Sequence, residues 1–252
     1  MPNIERSSVS HILEGLAEGL AANIRPENLS AAVSSLLAME SLYQSAAREV
    51  STKLENLNDE FRCTKARNPI HHIVTRVKSP KSTIAKLVRR GFPVSFESAR
   101  ENITDIAGVR VICSYIDDIY LLARLLVSQD DIELIRTTDY IKSPKPNGYR
   151  SLHLIVTVPV FLSNRTERVK VEIQIRTIAM DFWASLEHEL AYKTAERGDV
   201  ARELRDCADV IAQTDQRMQA LHDTLATADA AEEGSGGSTR GAEGGQTALG
   251  GE

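Results

Sequence analysis

The stretch Thr138–Arg176, TDYIKSPKPNGYRSLHLIVTVPVFLSNRTERVKVEIQIR, decides how the rest of the chain is read. Two β-branched runs, Leu152 to Val160 and Val169 to Ile175, flank a polar turn around Ser163 to Glu167, a pattern that predicts neighbouring strands. In the second run Val171, Ile173 and Ile175 alternate with Glu172, Gln174 and Arg176. A period of two sends the apolar three to a core face and gathers an acid, an amide and a guanidinium on the other. That polar row is either the solvated face of an antiparallel sheet or the floor of a site. Ahead of it lies a basic loop broken by proline and glycine: Lys142, Pro144, Lys145, Pro146, Asn147, Gly148, Tyr149 and Arg150. Tyr149 offers a plane for stacking, Asn147 a two-sided hydrogen-bonding edge, and Lys142, Lys145 and Arg150 positive charge. The set suits a purine nucleotide, the alternative being a surface turn with an exposed tyrosine. His153, four residues on from Tyr149, is placed to touch a ribose or phosphate or to serve as a satisfied structural histidine.

Upstream, Ile70 to Lys78 is rich in β-branched residues and predicts a strand. Ser79 followed by Pro80 predicts a helix start, with serine at the N-cap and proline at N1. Within that helix Ser82, Lys86 and Arg89 fall on one face, and Arg76 and Lys78 share a face of the strand leading into it. A helix N-terminus, a hydroxyl and several cations therefore converge, as a polyphosphate site requires, unless the helix is simply basic and solvated. The adjacent His71 and His72 have no acid or thiol at metal spacing and read as strand residues on opposite faces. Gly91 to Glu101 reads as a loop. Val109, Val111 and Cys113, alternating with Arg110 and Ile112, predict a strand buried on both faces, with Gly108 permitting close approach. Asp105, just before it, is by itself a turn residue. Paired with Glu172 from another strand, it gives two carboxylates beside a phosphate site. Mg²⁺ takes one or two carboxylates together with phosphate oxygens and water.

At 252 residues, 42% hydrophobic and 26% charged, the chain is long enough for one good core. No apolar run has bilayer-spanning length, and the N-terminus lacks the basic-then-apolar pattern of a secretory signal. Cys63, Cys113 and Cys207 are far apart and form no CxxC, which fits a reducing cytoplasm better than a zinc site or disulfide framework. The net charge of −5 conceals an asymmetry, since Phe61 to Arg100 holds ten Lys or Arg and one acid, Glu97. Residues 4–22 predict a short amphipathic helix broken by Pro26. A longer one capped by Asn28 or Ser30 has Val33, Leu36, Leu37, Tyr43, Val50, Leu54 and Leu57 as its core stripe. Further helices are expected over Asp117–Ser128, Ile178–Glu196 (ended by Gly198) and Val200–Ala226, with a short strand at Ile132–Ile135. Ile178, Phe182, Leu186 and Leu190 recur every four residues, while Glu187, His188 and Glu189 read as helix surface or subunit contact. From Asp229 the composition predicts a disordered tail. The resulting division is a variable N-terminal helix over 1–30, one domain with C-terminal helices over 31–228, and a Gly-rich tail over 229–252.

Five blocks then occur in order: RVKSPKSTIAKL, DIAGVRV, YIKSPKPNGYRSLHL, VEIQIRT and DFWASLEHELAYK. Together they resemble the synthetase domain of the RelA/SpoT homologues, and especially the stand-alone small alarmone synthetases. The resemblance covers roughly residues 35 to 225. It implies an α/β fold, a mixed five-stranded β-sheet flanked by helices, related to polymerase-β-type nucleotidyltransferases. It also implies transfer of the β,γ-pyrophosphate of ATP to the 3′-hydroxyl of GDP or GTP (GMP being a further acceptor), giving ppGpp or pppGpp and AMP in the stringent response.

Carried over position by position, Arg76 and Arg110 match the pair that holds adenine, and Lys78, Ser82 and Lys86 the residues that hold ATP phosphates. Asp105 matches the Mg²⁺ ligand. Glu172 matches the acid that shares the metal and activates the 3′-hydroxyl. Tyr149 corresponds to the guanine-stacking tyrosine, with Lys145, Asn147, His153 and Gln174 on the acceptor side. About 70 residues precede the first block, too few for the hydrolase of the long family members, and His222–Asp223 lacks partners, so synthesis without hydrolysis is expected. The resemblance further implies a cytoplasmic homotetramer, with an alarmone or single-stranded RNA as a regulator. Two other readings stand beside it: a tRNA 3′-end pyrophosphokinase, and a non-catalytic RNA-binding regulatory module using the same basic surface.

Overall fold

The computed structural model of the chain describes residues 26–64, 67–93, 95–193 and 198–235. The helix expected over residues 4–22 and the tail from 236 onward lie outside these. The elements are α1 (Pro26–Thr64), β1 (Ile70–Val77), α2 (Pro80–Arg89), α3 (Phe96–Asn102), β2 (Ala107–Cys113), α4 (Ile116–Val127), β3 (Glu133–Asp139), β4 (Leu152–Phe161), β5 (Thr166–Thr177), α5 (Ile178–Lys193) and α6 (Gly198–Ser235). The sheet runs β1-β2-β5-β4-β3. β2 and β5 pair in parallel, and every other neighbour pair is antiparallel, so the sheet is mixed.

The alternation along β5 decides which face is which. Val171, Ile173 and Ile175 are fully buried. With Val109 and Val111 of β2 and Leu154 and Val156 of β4, they pack against Tyr43, Val50 and Leu54 of α1 and Ile119, Leu122 and Leu126 of α4. Each such side chain contributes about 1.5–3 kcal/mol on leaving water. The opposite face carries Arg110, Glu172, Gln174 and His153. α2 starts as its sequence predicts: Ser79 Oγ accepts from the Ser82 amide at 3.3 Å, and Pro80 takes the first helical position.

Several boundaries differ from expectation. Residues 96–102, expected as part of a loop, form the short α3, because Ser95 caps it by accepting from the Ser98 amide at 3.0 Å. α1 begins at Pro26, ahead of Asn28 and Ser30, and runs through the expected boundary at residue 30. β5 starts at Thr166 because Leu162 N and Arg165 O close a tight turn at 2.8 Å. β3 extends to Asp139 since it follows β4 along the sheet edge. Gly198 opens α6 instead of ending α5, and α6 continues to Ser235, so residues 229–235 are helical. The Ile178, Phe182, Leu186 and Leu190 stripe faces outward, as do Val210, Met218, Leu221 and Leu225 of α6. α5 is anchored instead by the buried Trp183, whose Nε1 donates to Leu204 O at 2.8 Å.

Ile173 is enclosed on all sides at the centre of the sheet, so Ile173→Ala is expected to destabilise the fold by about 3 kcal/mol, read from a denaturant midpoint at unchanged slope.

Candidate active site

Strand register assembles the site in two rows on the face away from α1. Arg76 pairs with Gly108, and Gly108 pairs with Glu172. One step along, Val74, Arg110, Gln174 and His153 stand side by side. A cavity of about 260 Å³ opens over these rows, lined by Arg76, Lys78, Asp105, Arg110, Glu172 and Gln174 among others. A Cβ on Gly108 would meet Arg76 O at 3.6 Å and Glu172 O at 3.9 Å, which is ordinary contact. The close approach expected there is therefore not a steric necessity. What glycine does is leave the floor between Arg76 and Glu172 open.

Asp105 stands where β2 begins, with Lys78 Nζ 3.1 Å from one oxygen and Lys86 Nζ 2.7 Å from the other. Burial pushes its carboxyl upward, but the two lysines outweigh that and hold it below the usual carboxylate range. Ser82 lies in the first turn of α2, its hydroxyl 3.0 Å from that of Ser79. Of the converging cations and hydroxyl read from the sequence, Lys78 and Lys86 thus gather on Asp105 with Arg76 lining the same cavity, whereas Ser82 and Arg89 are exposed and are not among the residues that line it.

On the other flank a closed circuit of hydrogen bonds surrounds Glu172. Gln174 Nε2 donates to Glu172 Oε2 at 2.9 Å, and Arg176 Nη2 donates to Gln174 Oε1 at 2.9 Å and to the Tyr149 hydroxyl at 2.5 Å. That hydroxyl is 2.8 Å from His153 Nε2, and His153 Nδ1 is 3.4 Å from Glu172 Oε1. In the tautomer that carries its proton on Nδ1, His153 donates to the carboxylate and its Nε2 accepts from the tyrosine hydroxyl, whose oxygen accepts from Arg176. Burial raises the Glu172 carboxyl, and the nearby Asp105 charge adds to that; His153 and Gln174 together bring it below its ordinary value. Asp105 and Glu172 thus line one cavity and feel each other's charge.

The acceptor-side loop is held from behind. Gly148 has φ +93°, and a Cβ there would lie 2.5 Å from Ala208 Cβ of α6. Arg150, expected to add charge for a ligand, instead donates to Gly148 O and Ala208 O and pairs with Asp209 at 2.9 Å. Arg205 reaches Pro146 O. Asn147, like Lys145, Tyr149 and His153, is not among the residues that line the cavity; its amide donates to Glu187 at 3.1 Å, which gives that helix acid a local role. Lys142, expected to bring charge to a ligand as well, is exposed and sits over the Tyr120 ring. Lys145 is 4.7 Å from the Tyr149 ring centre and 4.8 Å from that of Tyr140. Tyr140 and Asp181 were not expected in the site. Tyr140 precedes the basic loop and meets Tyr149 and His153 edge-on, a neighbour its sequence position could have suggested. Asp181 is one acid in a helix's first turn and carries no such signal.

Comparison with known proteins fits this arrangement. Residues 75–197 match the family described as the region found in RelA / SpoT proteins. The chain is 46% identical over 181 residues to GTP pyrophosphokinase YwaC of Bacillus subtilis, covering 70% of this chain and 85% of that one. It is 33% identical over 191 residues to GTP pyrophosphokinase YjbM of the same organism, covering 75% and 89%. Among solved structures, small alarmone synthetase 2 from Bacillus subtilis superposes with a TM-score of 0.67 at 44% identity, over 73% of this chain and 97% of that one. Small alarmone synthetase 1 from the same organism, bound to its product pppGpp, gives 0.68 at 32% identity, over 73% and 94%.

Two measurements check the geometry. Gly148→Ala is expected to cost about 1–3 kcal/mol in chemical unfolding, because it forces positive φ on a residue with a Cβ and drives that Cβ into Ala208; adding Ala208→Gly should recover the steric part alone. The lowered Asp105 pKa means its ion pairs stabilise the fold above the unfolded value, near 3.8, and that this contribution is lost as pH falls through the lower folded value. Asp105→Asn should therefore be less stable than the unaltered chain at neutral pH, with the gap closing as the solution is acidified below that value. With identity of 46% reaching across 85% of a relative, and a fold shared with synthetases over nearly their whole length, the chain belongs to the RelA/SpoT family and matches its small alarmone synthetases.

Proposed function

We propose that this chain transfers the β,γ-pyrophosphate of ATP to the 3′-hydroxyl of GDP or GTP, giving ppGpp or pppGpp and AMP. The observation that carries the reading is one cavity in which Asp105 and Glu172 meet, with the Lys78 and Lys86 cluster on one flank and the Tyr149–His153 side on the other. Arg76 and Arg110, one residue row apart on adjacent strands, take the adenine between their guanidinium planes. Lys78, Ser82 and Lys86 take the phosphates, the lysines exchanging Asp105 for phosphate oxygens. Tyr149 stacks the guanine, with Lys145, Asn147, His153 and Gln174 around the acceptor.

Asp105 and Glu172 are hard oxygen donors on a cavity suited to polyphosphate, and this donor set fits Mg²⁺. Bound there, the ion would supply neutralisation of phosphate charge. Glu172, ionised at neutral pH, accepts the proton of the 3′-hydroxyl as its oxygen attacks the β-phosphorus. The bond from that phosphorus to the α,β-bridging oxygen breaks, and AMP leaves. His153 and Gln174 hold the Glu172 oxygens in place, and most of the rate comes from in-line positioning.

The outward apolar rows of α5 and α6 are too continuous for a solvated surface, and further copies of the chain cover them in a homotetramer. The basic run between Arg62 and Arg100 gives single-stranded RNA or an alarmone a place to act as regulator. The setting is the cytoplasm. The three cysteines are free thiols, and among the described residues no helix is long and apolar enough to cross a membrane.

Incubation with Mg²⁺, ATP labelled at the β- or γ-phosphate, and GDP, GTP or deacylated tRNA tests the reading. Label is expected on the guanosine nucleotides. Label on tRNA alone, or on nothing, rejects it. Glu172→Gln is expected to lower turnover by about 10²–10⁴-fold while the thermal midpoint and ATP binding stay close to those of the unaltered chain.

A further inference from the structure

Asp181 is assigned no role by anything above, yet it touches both halves of the site. It lies in the first turn of α5, and its Oδ1 accepts from Arg176 Nη1 at 3.2 Å and from Arg110 Nη1 at 3.5 Å. Those two arginines project from neighbouring parallel strands on the same face: Arg110 stands opposite Gln174, and Arg176 opposite Ile112. Two guanidiniums so placed repel each other, and Arg176 is almost wholly buried, its side chain 5% exposed. The Nε atoms of both are buried without a hydrogen-bond partner among the described residues, so their orientation rests on the Nη atoms: Asp181 holds Arg110 through Nη1, and it holds Arg176 together with Gln174 and Tyr149. Each arginine then passes that orientation on. Arg110 lines the cavity on the ATP side, whereas Arg176 holds the Tyr149 hydroxyl and Gln174, and through them His153 and Glu172.

Resting on the function proposed above, we infer that Asp181 is a positioning residue that holds the ATP-side Arg110 and the acceptor-side Arg176 to a single anion, so that the two substrate pockets are set in one geometry. Burial and the Arg176 charge disfavour the charged form of Arg110, and Asp181 offsets part of that cost. A carboxylate with only a structural role would stabilise the fold without joining the two pockets. One with the positioning role changes the affinity for both substrates at once.

The test measures KM for ATP and for the guanosine acceptor separately, with kcat and thermal midpoint, in the unaltered chain and in Asp181→Asn. Loss of a charge-assisted contact to each arginine is expected to raise both KM values by about fivefold to tenfold. In double-mutant cycles, Asp181→Asn should be non-additive with Arg110→Lys in the KM for ATP and with Arg176→Lys in the KM for acceptor. Additive effects, or a rise confined to one substrate, overturn the inference. If Asp181→Asn does not fold, Asp181→Glu keeps the charge in the first turn of α5 while moving the carboxylate by one methylene. It is expected to raise both KM values by about twofold to threefold, and unchanged values overturn the inference. Turnover by the unaltered chain separates the two ideas: none rejects the function and this role together, whereas normal turnover with unshifted KM in the variants rejects the positioning role alone.

Discussion

The parallel ladder between β2 and β5 sets Gly108 beside Glu172 and Arg110 beside Gln174, and the side chains on the floor of the candidate site inherit their places from that register. A slip of one residue would turn Val171, Ile173 and Ile175 toward solvent and Glu172, Gln174 and Arg176 into the core beneath α1 and α4. The register is thus enforced by burial on one face, and the geometry of the polar face follows from it. Because β5 lies at the middle of the sheet, between β2 and β4, it joins the cationic β1–α2 side to the tyrosine–histidine side.

Charge is arranged with the same economy. The cations that gather here would repel one another and scatter if left alone. Instead Asp105 is shared by two lysines, Asp181 by two arginines, and Glu172 is held by an imidazole and an amide. Each carboxylate stands between groups drawn from different elements, so the electrostatic framework also fixes how those elements meet. These three carboxylates are 19–28% exposed and so less screened by water than the surface pair Arg168–Glu133, whose side chains are at least half exposed.

Much of this was legible in the sequence because it follows local rules. The alternation in β5, the serine cap and first-turn proline of α2, and the β-branched runs of β1 and β4 are all nearest-neighbour signals, and each element formed around its predicted run, β5 extending beyond it at both ends. What local rules do not carry is which strands beyond the β4–β5 pair become neighbours, and with that whether Asp105 and Glu172 line one cavity. Ordered motif blocks supplied that link. Arg150 shows the limit most clearly. A cation in a basic loop reads as a ligand contact, but its guanidinium is spent on α6, far along the chain. α3 was missed because a single serine cap is a weak signal over so short a span. The apolar period of α5 was correctly seen, but period alone does not say whether a stripe faces the core of its own chain.

The rest taken by Gly148 against Ala208 has a consequence for the order in which the molecule is made. On a ribosome the amino-terminal portion emerges first. Once Thr177 is out, all the strands of the sheet are available to pair, and the basic helix α2 has long since left the exit tunnel. The surface against which Pro146, Gly148 and Arg150 settle has not yet been synthesised. A nascent chain at that stage has the lysine cluster around Asp105 framed and the Tyr149 loop unsupported, so the site is completed only with the final helix.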